Sequence, residues 1–340
     1  GATVNWTIAK FVVEVTWRLD GSATLSTVYD GENHSAVASV SKKVVTDTVT
    51  ITAYTGKVTT NYGQSAISSG NTAKYAGVYS TTATALSDSH NYVLPEASEV
   101  TVSWTITKRT VTFGWTTIGN LSYDGSLQGR KLSISNVVAA DDKNSTYLTY
   151  VTAGTATSVV HTTSGYSIAF TSKNAGTYSA SVTGLQGSRS SNYQLPSNTS
   201  SSFTISPRAV VLTWSYSPAL GDGYVYDGTA KTVIPNISNK VSGDTVTPVE
   251  PSFSGINAGN YTSTVTGLSG SSASNYTLTG GTNLSLSWSI ARKTISISSW
   301  NYANSYANPT SGAYGTLVYN GYAYTLTPVL NGVVGSDSVS

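Results

Sequence analysis

The chain is 340 residues long and carries 18 Lys and Arg against 16 Asp and Glu, a formal net charge of +2. That length exceeds what one small core uses, so several domains are expected, and the near-neutral balance offers no electrostatic footing for nucleic acid or an acidic membrane. Charged residues are only 10% of the chain, well under the roughly 25% of ordinary globular proteins. Ser, Thr, Asn, Gly and Tyr take their place, giving a surface kept soluble by hydroxyls and amides, as secreted fibres have. The 39% hydrophobic content argues against disorder. Cysteine is absent, which excludes disulfides, thiolate metal sites and cysteine nucleophiles. Methionine is absent as well, so the chain reads as processed or as a window on a longer one. No segment approaches the ~18 consecutive apolar residues of a membrane helix, and no signal peptide is visible.

In chain order, the first element is VNWTIAKFVVEVTW at 4–17, and related stretches recur as VSWTITKRTVTFGW at 102–115, SFTISPRAVVLTW at 202–214 and LSWSIARKTISISSW at 286–300. Each alternates apolar residues up to a basic or Pro-containing dipeptide, then alternates again to a tryptophan with the phase slipped by one. Trp104 and Ile106 are even, whereas Val111, Phe113 and Trp115 are odd. Side chains alternate faces along a strand, so a one-residue slip swaps the buried face. Each copy is therefore expected to be the closing strand of one repeat running directly into the opening strand of the next. The boundaries that follow are 1–9 as the closing strand of a preceding repeat, 10–107, 108–206 and 207–291 as three repeats, and 292–340 as an incomplete fourth.

Between these joints the same landmarks recur. First comes Tyr29-Asp30-Gly31, Tyr123-Asp124-Gly125 and Tyr226-Asp227-Gly228, with Tyr319-Asn320-Gly321 as the fourth copy. A polar turn precedes a strand at Asp47-Thr48-Val49, Asp244-Thr245-Val246 and Asp337-Ser338-Val339, whereas the second repeat departs with Ala140-Asp141-Asp142 and an insertion. Ala-Gly-x-Tyr follows at 76–79, 175–178 and 258–261, and Asn-Tyr-x-Leu at 91–94, 192–195 and 275–278. The intervening segments are short, rich in Val, Thr, Ile and Tyr, and bounded by turn residues, so they read as strands. In the third repeat these are expected at 210–214, 232–237, 245–253, 260–268 and 276–290, the last broken at Gly280-Gly281. No 3.6-residue apolar period supports a long helix. The fold class is all-β, with tandem immunoglobulin-like or related β-sandwich repeats arranged end to end as a rod.

Tyr-Asp-Gly reads as a turn: Asp caps it, Gly supplies a positive φ, and Tyr packs on the core with its hydroxyl outward. Asn320 in place of Asp serves such a turn equally well. Asn-Tyr-x-Leu reads as a turn followed by a buried Tyr/Leu pair, akin to a tyrosine corner. Asp141-Asp142, and Asp20 with Asp30, are the hints of a calcium site, and neither has a calcium-loop spacing. His34, His90 and His161 lie over fifty residues apart, which does not suggest zinc or a catalytic base. Lysine–asparagine crosslinks would need Lys10 or Lys108 near Asn91, Asn192 or Asn275 with a buried acid. Sequons occur at Asn5, Asn120, Asn144, Asn236, Asn260 and Asn283. No catalytic, cofactor or metal site is assigned, and the chain is not read as an enzyme.

The order Tyr-Asp-Gly, Gly-Asp-x-Val, Asn-Ala-Gly-x-Tyr, Val-x-Gly-Leu-x-Gly, Asn-Tyr-x-Leu and a closing Trp-x-Ile is complete in the third repeat, from Tyr226 to Ile290. It resembles the YDG/MBG-type tandem repeats of very large bacterial surface and adhesin-like proteins. The resemblance implies a scaffold with no active site: a structural stalk or fibre segment at the cell surface, outside the cell. The partners expected are further copies of the repeat in a longer chain, lateral or end-to-end self-association into a fibre, and a glycan or cell-surface ligand. Glycan binding through Tyr302, Tyr306, Tyr314, Tyr322 and Tyr324 is the alternative function.

Overall fold

The computed structural model describes residues 1–142, 147–161, 167–304, 311–313, 319 and 321–339. The fold is all-β. Strands dominate, and the helical elements among the described residues are a single turn at Ala139–Asp142 and two 3-10 turns at Ser190–Asn192 and Ala273–Asn275. Runs of Thr, Val and Tyr favour this outcome because branched and aromatic side chains fit a pleated surface, and Ser and Thr compete for helix backbone bonds. Contacts divide the chain into two compact units. Unit 1 holds residues 1–121 and 126–205, and unit 2 holds 122–125 and 206–340.

In unit 1, the span 10–107 builds two four-stranded sheets. One is ordered Glu14–Leu19, His34–Lys42, Thr72–Ala73, Ile67–Ser68, and the other Ser26–Val28, Thr101–Thr107, Gly77–Leu86, Ile51–Asn61. The closing strand Thr101–Thr107 lies antiparallel to Gly77–Leu86 and parallel to Ser26–Val28. The second span repeats the scheme with Thr112–Ile118, Gln128–Ser135, Ser167–Ser172, Ser158–His161 in one sheet and Thr149–Gly154, Gly176–Gln186, Ser200–Ile205 in the other. Unit 2 repeats it again. Arg208–Ser217 pairs with Lys231–Ile237, and the closing strand Ser285–Ala291 pairs antiparallel with Gly259–Thr264 and parallel with Tyr224–Val225. Here Val233 of one sheet packs with Tyr224, Trp288 and Ile290 of the other, so the two sheets share a core. Residues 292–339 contribute Ser296–Asn304, flanked by Ser311–Ala313 and Tyr324–Asn331.

The phase slip is visible in burial. Trp104 and Ile106 are buried, and after Lys108-Arg109 the buried residue is Val111, with Phe113 and Trp115 half-buried on the same face. Phe203 and Ile205 give way to Val210 and Leu212 in the same manner. Sheets change at the dipeptide, yet apolar contact does not stop there. In unit 1 one cluster joins Leu19, Tyr29, Tyr79, Trp104 and Ile106 to Val111, Leu132, Ile168, Phe170 and Tyr193.

Several expected strands are placed differently. Residues 1–10 form no strand, and Val4, Trp6 and Ile8 are exposed, because a strand needs a partner edge and none of the described residues supplies one. The run 245–253 yields only Thr247–Pro248 and the start of Phe253–Gly255. Pro248 and Pro251 lack the N–H that a continuous ladder requires. The run 260–268 stops at Thr264. The break expected at Gly280-Gly281 falls at Asn283, at φ +57, while the strand Tyr276–Thr282 runs through both glycines with an irregular register.

A tyrosine holds each closing strand. The Tyr of Ala-Gly-x-Tyr stacks on the closing aromatic: Tyr79 on Trp104 at 4.7 Å, Tyr178 on Phe203 at 5.3 Å, and Tyr261 on Trp288 at 4.5 Å between centroids. Its hydroxyl donates to the carbonyl four residues back, at Tyr75, Asn174 and Asn257. The corner-like bond thus sits here and not at Asn-Tyr-x-Leu. Two residues after this tyrosine, the side chain answers the closing aromatic. Trp104 Nε1 donates to Thr81 Oγ1 at 2.9 Å and Trp288 Nε1 to Ser263 Oγ at 2.9 Å, whereas Phe203, with no N–H to satisfy, is matched by Ala180. Thr81→Ala alone is expected to cost about 1–3 kcal/mol by stranding a buried indole N–H. Thr81→Ala with Trp104→Phe should recover much of that in a urea-denaturation cycle; additive losses would mean that the indole bond is not what Thr81 supplies.

Candidate functional site

Each Tyr-Asp-Gly turn begins where its own closing strand ends. The tyrosine N–H donates to a carbonyl at or one residue past the end of that strand: Tyr29 to Thr107, Tyr123 to Ser206, and Tyr226 to Ala291, each at 2.9 Å. The glycine then takes a left-handed conformation, with φ between +77° and +83° in these three copies. This geometry aims the tyrosine ring away from its own sheet, as the sequence suggests, but not toward water. Tyr29 is 1% exposed and Tyr123 2% exposed.

In unit 1 the Tyr29 hydroxyl donates to Asp141 Oδ2 at 2.7 Å, and Tyr193 of the second Asn-Tyr-x-Leu donates to the same oxygen at 2.7 Å. The two rings meet edge to face at 5.5 Å. The Tyr193 hydroxyl also accepts the Val138 N–H at 3.1 Å, so it bonds on both sides. Asp141 is 5% exposed, and its other oxygen lies 3.9 Å from Arg189 Nε. That guanidinium lies 4.7 Å from the centre of the Tyr75 ring. Asn192, fully buried, accepts the Ala76 N–H at 2.9 Å. Arg109 of the joint dipeptide donates to the Tyr29 carbonyl at 3.2 Å.

Unit 2 holds the same clasp. Tyr123 donates to Asp244 Oδ2 at 2.8 Å, Tyr276 donates to the same atom at 2.6 Å, and Tyr276 accepts from the Val241 N–H at 2.7 Å. The rings again meet edge to face at 5.5 Å. Farther along unit 2, the Asp337 carboxyl beside Tyr226 holds that phenol above its usual range. The glycine of each turn sits against the valine three residues before the aspartate. A Cβ on Gly31 would lie 2.8 Å from Val138 Cγ1, on Gly125 2.7 Å from Val241 Cγ1, and on Gly228 2.9 Å from Val334 Cγ1. The aspartate N–H closes its own turn on that valine's carbonyl, at 2.9 Å for Asp141, 3.1 Å for Asp244 and 3.0 Å for Asp337.

Asp141 therefore occupies the place of Asp244 and Asp337, and the second repeat does not depart from the pattern. The sequence signal that finds it is Val-x-x-Asp, at Val44/Asp47, Val138/Asp141, Val241/Asp244 and Val334/Asp337. The Asp141 carboxylate faces tyrosines and an arginine, which removes it as a calcium hint. The other hint is bridged by a histidine: His34 Nδ1 is 2.6 Å from Asp20 and Nε2 2.9 Å from Asp30. Three residues past each glycine the structure buries a polar side chain, as His34, Gln128 and Lys231, at 6%, 0% and 4% exposure. Lys231 Nζ lies 2.6 Å from Asp227 Oδ2 and holds that carboxyl well below the usual carboxylate range. Lys10 donates to the Ser89 carbonyl and Lys108 lies over the Tyr62 ring, so the structure does not bring either to an asparagine side chain. Of the expected aromatic group, Tyr302 and Tyr324 pack edge to face at 6.0 Å, and Tyr322 is exposed. Tyr306, Tyr314, Asn320 and the sequon at Asn144 lie outside the described residues.

Burial, followed by the bonded carboxylate, raises the clasp tyrosines. Tyr123 is pushed up to about 12, and Tyr29 and Tyr193 are held above their usual value near 10. A tyrosine whose folded pKa is raised keeps its proton in the native state after the unfolded chain has lost it. Its stabilising contribution is complete below pH 10 and is lost as pH climbs from about 10 to about 12. Stability measured by urea melts should therefore fall over that window, and more steeply than in a Tyr123→Phe variant. Equal slopes would count against the clasp.

Together, fold and site define an all-β protein in which a tyrosine–aspartate clasp occurs in each of the two units. No protein-family model matches this sequence, and neither does any curated protein. Among solved structures the chain is similar to invasin, a bacterial integrin-binding protein, with 13% identity over 84% of this chain and a TM-score of 0.32. The match spans 61% of that protein.

Proposed function

We propose that the chain is a structural segment of an extracellular bacterial stalk or surface filament, in which β-repeats of the YDG/MBG type form a stiff spacer. The observation that carries this reading is the recurrence of one clasp, Tyr29 on Asp141 and Tyr123 on Asp244, with Gly228 seated on Val334 as Gly31 is on Val138. A turn from one repeat span supplies the donor, and the next span supplies the carboxylate. Bending the Tyr29–Asp141 joint pulls a buried phenol from a buried carboxylate, where the low local dielectric makes an unpaired group costly. The chain places its buried carboxylate, Asp141, in such a joint and presents hydroxyls and amides outward, which suits a spacer that projects another domain. Electron microscopy of the full chain tests the reading. Thin straight rods are expected; compact globules, or beads flexing freely at each joint, would overturn it.

A further inference from the structure

A polar groove opens beside the Lys108-Arg109 dipeptide of unit 1. Its volume is about 970 Å³, at the upper end of ligand clefts, which run to roughly 1,000 Å³. Lys108 and Arg109 line it together with Tyr62, Thr107, Asn136 and Gln194, and no carboxylate is among its described lining residues. Neither cation has a carboxylate partner among the described residues. The Lys108 ammonium lies 4.7 Å from the centre of the Tyr62 ring, which steadies it without cancelling its charge. Arg109 donates from Nε to the Asn136 carbonyl at 3.1 Å and from Nη1 to the Tyr29 carbonyl at 3.2 Å. Those two bonds fix the plane of the guanidinium. Its remaining N–H groups find no protein acceptor among the described residues.

Both cations are half-buried, so the groove gathers two positive charges in a chain of which only 10% is charged. A concave site lined by one sign of charge concentrates its field and draws in the opposite sign. The rest of the lining is amide and hydroxyl. The Gln194 amide NH2 donates to Thr110 Oγ1 at 2.8 Å and the Asn136 NH2 to the Thr110 carbonyl at 2.7 Å. Both side chains are exposed, and their amide oxygens are left to accept from a ligand. A ligand with carboxylates for the cations and hydroxyls for the amide oxygens matches both halves, whereas a small inorganic anion would fill little of the volume. We propose that this groove binds a carboxylated polysaccharide, a polyuronate. Its carboxylates sit on Lys108 and on the open N–H groups of Arg109, which suit a carboxylate's two oxygens. Its ring hydroxyls donate to the Asn136 and Gln194 side chains. The stalk reading does not enter this argument: the chain's shape can fail its own test while the groove still binds.

Isothermal titration of the full chain with polygalacturonate tests it, beside dextran, which lacks charge, and polyglutamate, which lacks sugar. Saturable binding of polygalacturonate is expected, with dextran silent and polyglutamate about ten-fold weaker or more for want of the hydroxyl contacts. In about 1 M NaCl, where the screening length is about 3 Å, the polygalacturonate signal should weaken. Lys108→Gln should raise the dissociation constant about ten-fold, the effect of one hydrogen bond to a charged group. The Lys108 ammonium rests on an aromatic ring and not on a buried acceptor, so this variant should melt close to the wild type. Arg109→Gln would also cut the bonds to the Tyr29 and Asn136 carbonyls, so it is not the variant of choice. The comparison of polymers uses the wild-type chain and holds whatever the variant does. Absent binding of polygalacturonate, equal binding of dextran or polyglutamate, or full affinity in a folded Lys108→Gln overturns the proposal.

Discussion

Asp141→Ala is expected to destabilise unit 1 by about 3–6 kcal/mol, since two hydrogen bonds to a charged acceptor are lost at about 1.5–3 kcal/mol each. Both donors are nearly inaccessible, Tyr29 at 1% and Tyr193 at 2% exposure, so neither hydroxyl finds water in place of the carboxylate. The Arg189 guanidinium, 24% exposed at its side chain, loses its nearby charge at the same time. Asp141→Asn should fall between, because an amide keeps one acceptor oxygen but turns its NH2 toward the tyrosines or the arginine. Asp88→Ala is the control: its bonds stay within an exposed turn, to the His90 and Asn91 N–H groups. Urea melts of the full chain followed by tryptophan emission read the difference. A loss at Asp141 under about 1 kcal/mol, within the scatter of ordinary surface changes, would show that the clasp is decoration.

The sequence exposes the repeat and hides what the repeat is for. Tyr-Asp-Gly is legible as a turn because Asp30 accepts the Glu32 N–H and Gly31 adopts a positive φ, both local events. The phase slip at Lys108-Arg109 is legible because period-two alternation is a local property of strands. The tyrosine hydroxyl is not legible in this way. Viewed from its own sheet it points outward, and only the following span turns that exterior into an interior. Asp141 is hidden for the same reason, compounded by an insertion that disguises its neighbours; its valine three residues earlier is the surviving trace. Asn-Tyr-x-Leu suggests the corner bond, but Tyr92, Tyr193 and Tyr276 use their hydroxyls on Asp47, Asp141 and Asp244. The tyrosine that bonds four residues back is the one in Ala-Gly-x-Tyr, free to do so because its ring stacks inside its own sandwich. Glycines mislead in the other direction. Gly280 and Gly281 look like a strand break, yet a glycine within a strand can be absorbed as an irregularity, and Asn283 makes the turn.

Gly31→Ala should cost about 2–5 kcal/mol, and the cost can be divided. One part is conformational: an alanine held at positive φ pays roughly 1–2 kcal/mol. The other is steric, because the new Cβ would stand 2.8 Å from Val138 Cγ1, and overpacking of a fitted contact adds typically about 1–3 kcal/mol. Gly321→Ala isolates the first part, since its φ of +78° is close to the +83° of Gly31 and its Cβ meets nothing within 4 Å. Val138→Ala isolates the second. Combined with Gly31→Ala it removes the obstructing methyl, so the double variant should lose less than the sum of the two single losses. Two outcomes would sink the seat: equal losses at Gly31 and Gly321, or strict additivity of Gly31→Ala with Val138→Ala. Either would mean that the turn tolerates a methyl group on its face, and a joint with that much slack could not hold a phenol and a carboxylate in register while the chain is bent.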